Sequence, residues 1–163
     1  MLWFAYHELY TPKWSQHIFD EWYEVMIRSG ISEVEALKRT SKVNEAFPDA
    51  LVVNYEPLIE TISLPDIKDR HVLAAAIKTN ANLIVTNNLK HFPKEYLSCF
   101  GLSVKDADDF FTDIIDLNQK TSIQAFRDLV MNKRNPPLDD YQILDIFRKN
   151  GLKNTADYIH ALI

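Results

Sequence analysis

The sequence predicts an α/β domain on a parallel sheet, with a small helical appendage at its carboxyl end. Three observations carry that expectation. Short apolar runs at 50–53, 83–86 and 102–104 alternate with amphipathic stretches, the order expected of βαβ units. Beyond Asn118 no strand-like run recurs, and three helical stretches follow. The 163 residues suffice for one domain with a core and a modest addition. The expected division is an α/β domain over 1–117 and a helical extension over 118–163.

The elements follow in order. Leu2, Phe4, Ala5 and Leu9 have near-helical spacing, and Pro12 ends that helix. Ser15 is a natural N-cap for a second helix with an Ile18, Trp22, Val25, Met26 stripe, and Gly30 closes it. Ser32 with Glu35 has capping-box spacing for a third helix running to about 47. The run at 50–53 predicts a strand buried on both faces. Residues 57–62 predict a short helix or turn. A helix over 70–79 follows an acidic turn, and residues 83–86 predict a second buried strand. A short helical piece at 93–97 and an edge strand at 102–104 come next. Asp106 caps a helix to about 116, and helices at 121–133, 138–149 and 155–162 complete the chain.

Composition narrows the function. The net charge of −5 provides no global basic footprint for nucleic acid. A local patch with a metal could still hold a polyanion. The single Cys99 excludes an internal disulfide framework and fits a reducing cytoplasm. No run approaches the roughly 18 apolar residues of a membrane span. The first ten residues lack a basic region and a small-residue cleavage site, so no signal peptide is expected. They have instead the character of a helix cut open at Met1. Zinc-ligand spacing, a Gly-rich phosphate loop and a nucleophile elbow are all absent.

The stretch from Leu64 to Pro93 concentrates the chemistry. Asp66 and Asp69 stand at the start of a helix rich in small residues, and Thr86-Asn87-Asn88 stands at the carboxyl end of a strand. In an open α/β sheet that end is where ligands bind. Asp66 is the better cap for the helix, so Asp69 can either share that task or face a site. Asn88 can be a turn residue or offer its amide oxygen to a metal or its water. Glu21 lies among Asp20 and Glu24, either on a solvated helix face or as a second carboxylate. His71 and His91 are expected to be surface or supporting groups. Arg70 and Lys90 are candidate phosphate contacts.

Residues Leu64-Pro65-Asp66-Ile67-Lys68-Asp69-Arg70-His71 and Ile84-Val85-Thr86-Asn87-Asn88-Leu89-Lys90-His91-Phe92-Pro93 resemble the PIN-domain family, most of all the bacterial VapC-type toxin ribonucleases. The likeness extends to Tyr10–Ser15, to Glu45–Ala50 and, more weakly, to Asn135-Pro136-Pro137 in the tail. It implies a PIN-like parallel sheet, Mg²⁺- or Mn²⁺-dependent cleavage of RNA, and a cognate antitoxin protein as partner. It assigns Glu21 and Asp69 as metal-holding acids, with Asn88 as a weaker ligand and Thr86 assisting.

The resemblance also has a gap. The family opens with a strand ending in an Asp of the metal site, and Met1 falls after that strand. The fold is therefore expected to lack its first central strand and one ligand. A truncated start, a homodimer or strand-donating partner chain, or a closed-up sheet would each account for this. The chain alone is expected to be a weak or inactive nuclease, with an inactive PIN-like binding module as the alternative.

Overall fold

The computed structural model describes all of Met1–Ile163. In chain order the elements are α1 (Leu2–Tyr6), β1 (Trp14–Ser15), α2 (Gln16–Arg28), α3 (Glu33–Ala46), β2 (Leu51–Val52), α4 (Glu56–Ile59) and α5 (Arg70–Lys78). Then come β3 (Leu83–Val85), α6 (Lys94–Ser98), β4 (Ser103–Lys105), α7 (Ala107–Leu117), α8 (Gln119–Asn132), α9 (Asp140–Lys149) and α10 (Lys153–Leu162). Short 3₁₀ turns cover Pro48–Ala50, Ile67–Asp69 and Leu89–His91. The chain forms two compact units. One comprises residues 12–84 and 88–104; the other comprises 1–11, 85–87 and 105–163.

In the first unit, β1 runs parallel to β2, with Trp14 opposite Leu51 and Ser15 opposite Val52. The expected elements did not include β1. Two residues are too few for a periodic signal, and the strand exists through its distant partner. Trp14 is buried edge-on against Phe19 and Phe47 at 5.5 and 5.8 Å, a favourable aromatic geometry. Its indole N–H donates to Asn44 Oδ1 at 3.2 Å. Ser15 ends the strand and caps α2, its Oγ accepting the Ile18 N–H. Gly30 closes α2 at φ +84°, where a side chain would be strained. Ser32 caps α3, but Glu35 turns to Arg39 instead of reaching back, so only half of the expected capping box forms.

Strands β3 and β4 form a second two-stranded sheet. Asn82 O accepts the Ser103 N–H and Lys105 O accepts the Thr86 N–H, each at 3.0 Å. The strands expected to be buried on both faces are not. Val53 is 58% exposed and Val85 42% exposed, while Val52 and Ile84 are buried. Successive side chains point to opposite faces, and the core packs on the face that carries Val52 and Ile84.

The unit's core is built on α5, where Leu73, Ala74, Ala75 and Ala76 are all buried. Small side chains let this helix lie close against Val52, Ile84, Leu97 and Val104 in the same cluster. That packing holds the amino end of α5 in place, and with it the acidic turn.

The second unit is helical. Phe4 of α1, Phe126, Leu144 and Ile159 are fully buried at its centre, and Phe4 meets Phe111 at 5.7 Å. Helix α1 stops earlier than the expected Leu9. Glu8 adopts φ +58°, its N–H bonds Ala5 O, and the Leu9 N–H bonds Phe4 O. This is a Schellman closure, so Pro12 is not the terminator. Helix α8 starts two residues before the expected position because Asn118 caps it. Helix α9 has a full capping box between Asp139 and Gln142. Asp108 of α7 caps α10 from a distance, accepting the Asn154 and Thr155 N–H groups and the Thr155 hydroxyl. No helix is long and apolar enough to cross a membrane.

Candidate functional site

Two aspartates share one turn and do different work. Asp66 opens the 3₁₀ turn, its Oδ1 accepting the Lys68 N–H at 2.9 Å. Asp69 precedes α5 but makes no capping hydrogen bond with its side chain. Instead its Oδ2 lies 2.6 Å from His91 Nδ1. An ionised carboxylate only accepts, so the hydrogen bond calls for the tautomer with its proton on Nδ1. Asp66 Oδ2 is 3.8 Å from the same nitrogen. The ligand atoms of Asp66, Asp69 and His91 all fall within 4.8 Å of one another, and all three residues are half-buried.

Asn88 seats the histidine. It precedes the 3₁₀ turn that ends at His91, and its carbonyl accepts the His91 N–H at 2.9 Å. The Asn88 side chain is exposed. Thr86 follows β3, half-buried, and falls with the helical unit, whereas Glu21, Asp69 and Asn88 fall with the α/β unit.

Glu21 stands outside the three-residue cluster. Its Oε1 lies 3.4 Å from Nε2 of His71, and its side chain is 60% exposed. His71 is only 6% exposed. Its ring centre is 4.8 Å from that of His17, whose Nδ1 lies 3.2 Å from the Tyr55 hydroxyl. Burial holds His71 below the ordinary histidine range, against the opposing pull of Glu21 and Asp69. His71 Nδ1 and Arg70 Nε are buried without a hydrogen-bond partner. Arg70 itself is half-buried.

Each expected acid thus meets a histidine. Those pairings escaped sequence reasoning because they join α2 to α5 and α5 to a distant turn. Only the placement of His91 three residues after Asn88, in the strand-following turn, hinted at the second. Two carboxylates and an imidazole within this radius match the donor set of a divalent cation.

The comparisons with known proteins fit that geometry. The PIN domain model matches residues 2–90, more than half of the chain. The chain belongs to the PIN-domain family. The VapC50 C-terminal domain model matches residues 107–161 of this PIN protein, over α7 to α10. A Mycobacterium tuberculosis H37Rv protein named "Putative ribonuclease VapC50" is 36% identical over 96 residues, covering 59% of this chain and 56% of that relative. The match thus spans little more than half of the curated relative's length. No solved structure matches. Together these place the chain among VapC-type PIN proteins with a helical carboxyl-terminal extension.

Proposed function

We propose that this PIN-domain protein is a VapC-type toxin ribonuclease that hydrolyses RNA phosphodiesters with Mg²⁺ or Mn²⁺ and is restrained by a cognate antitoxin protein. In this reading residues 1–117 carry the chemistry and residues 118–163 form the extension. The observation that carries it is Asp69: a helix-start acid that leaves its helix uncapped and turns into a cluster of metal-ligand type.

A bound divalent cation supplies Lewis-acid polarisation of a phosphate oxygen and a more acidic water. Asp69 would hold it, with Asp66 and His91 beside it. Glu21, standing off the cluster on α2, would orient the attacking water and accept its proton. His71 would steady Glu21 from the buried side. Asn88 contributes by seating His91.

The test is cleavage of RNA by the purified chain with Mg²⁺ or Mn²⁺. Asp69→Asn should abolish metal-dependent cleavage while the protein stays folded; undiminished cleavage would reject the assignment. A second reading, an inactive PIN-like binding module, is favoured by the exposure of Glu21, which is not one of the three clustered residues. In that case the wild-type chain would bind RNA without cutting it.

A further inference from the structure

We propose that Asp66, Asp69 and His91 form a mixed oxygen–nitrogen site that takes a divalent transition cation in preference to Mg²⁺, with His91 Nδ1 as a direct ligand. The inference rests on the proposed metal-dependent reading of the same site. It concerns residues which that reading leaves open, since His91 lies just beyond the span matched by the PIN domain model.

The argument starts from which atoms are already used. Asp66 commits Oδ1 to the Lys68 N–H and keeps Oδ2 toward His91. Asp69 makes no capping bond, although it stands where a cap belongs. His91 is held from its backbone by Asn88, so its ring is set beside both carboxylates. Three donors from two separate turns therefore converge within 4.8 Å.

Their chemistry then selects the ion. Mg²⁺ favours oxygen donors and retains its waters, giving little to an imidazole. Imidazole nitrogen suits first-row transition ions, whose affinity for nitrogen sites rises along the series. Asp69 Oδ2 and His91 Nδ1 now meet directly at 2.6 Å. A cation held by both would replace that contact, with the ring in the tautomer that carries its proton on Nε2 and leaves the Nδ1 lone pair for the metal. Nothing comparable is available at Glu21, whose histidine neighbour stands on the buried side.

The experiment uses the full chain with Mn²⁺ and Mg²⁺ as probes. Affinities are measured by calorimetry and the Mn²⁺ complex by electron spin-echo spectroscopy. The expected result is tighter binding of Mn²⁺ than Mg²⁺, with ¹⁴N coupling in the Mn²⁺ spectrum. His91→Gln should remove that coupling and weaken Mn²⁺ about tenfold or more, while changing Mg²⁺ much less. The coupling in the wild-type protein is informative even if the variant folds poorly. Mn²⁺ binding that is lost in Asp69→Asn but shows no ¹⁴N coupling would overturn the role of His91 and leave the metal centre standing. Mn²⁺ binding that is unchanged in Asp69→Asn would remove the metal centre itself.

Discussion

The imidazole of His91 meets the carboxylate of Asp69 at 2.6 Å, across 22 positions of sequence. The contact ties the start of α5 to the turn after β3. It also explains why Asp69, which has a cap's position, does not behave as one. The acid is drawn off its helix toward a side chain with which it can share a cation.

The two acids should differ in weight. Asp69→Asn removes a group at the centre of the cluster, and RNA cleavage should fall at least about 100-fold, since a held cation is worth several kcal/mol. Glu21→Gln changes an exposed side chain outside that cluster. Its loss should be smaller and should appear in kcat with little change in KM. Single-turnover cleavage of a labelled RNA by both variants checks the order; an equal loss in both would contradict it.

Metal addition should stabilise the folded chain. A ligand bound only by the native state at a hundred times its Kd adds about 2.7 kcal/mol. Thermal unfolding should therefore shift upward with Mn²⁺, return on chelation, and fail to shift in Asp69→Asn. An equal shift in that variant would place the binding elsewhere.

Asp108 should prove a main support of the helical unit. It accepts the Thr155 N–H at 2.8 Å, the Asn154 N–H at 2.9 Å and the Thr155 hydroxyl at 2.7 Å. Thr155 is fully buried, so its hydroxyl has no alternative in water. Asp108→Ala should cost about 1–2 kcal/mol, mainly the lost cap, because the Thr155 hydroxyl keeps the Asp108 carbonyl at 3.2 Å as an acceptor. Urea unfolding measures it.

The same group predicts an acid limb. Burial pushes the Asp108 carboxyl up, but the Thr155 and Asn154 donors outweigh that and hold it below the usual aspartate value. Its folded value is depressed, so its contribution is complete above the unfolded value of about 3.9. It is lost as pH falls through the folded value. The stability gap between wild type and Asp108→Asn should be constant near neutrality and narrow below about pH 4. A gap that widened on acidification would reverse the assignment.

Leu73 tests whether core and site are linked. It is fully buried on α5, the helix that begins just after Asp69. Leu73→Ala should cost about 3 kcal/mol through the cavity it leaves, and should weaken Mn²⁺ binding without touching a ligand. Undisturbed metal affinity in this variant would show that the acidic turn holds its shape independently of the helix.

Much of this was legible because it is local. Ser15, Ser32 and Asp106 announce their helices through side chains that bond backbone groups three residues on. Gly30 marks a left-handed closure that few other residues tolerate. Leu64–Pro93 showed its acids and its strand-end amides through spacing alone. What stayed hidden depends on distant partners. Strand β1 exists only opposite Leu51–Val52, and the pairings of His71 and His91 appear only once the helices are packed. The closure of α1 at Glu8 also went unseen, because glutamate seldom adopts positive φ. The exposure of Val53 and Val85 could not be inferred from their apolar character, which says what a side chain prefers and not whether another layer packs over its face.

That one-sided pairing has a consequence for how the protein breathes. Strands of two or three residues, each bonded along a single edge, hold few ladder bonds whose loss must be concerted. Their amides can open without the rest of the unit, and exchange with solvent on a timescale closer to that of loops. The slowly exchanging heart of this unit is then a helix. Amide exchange should therefore be slowest around Leu73–Ala76 and faster in the strands beside it.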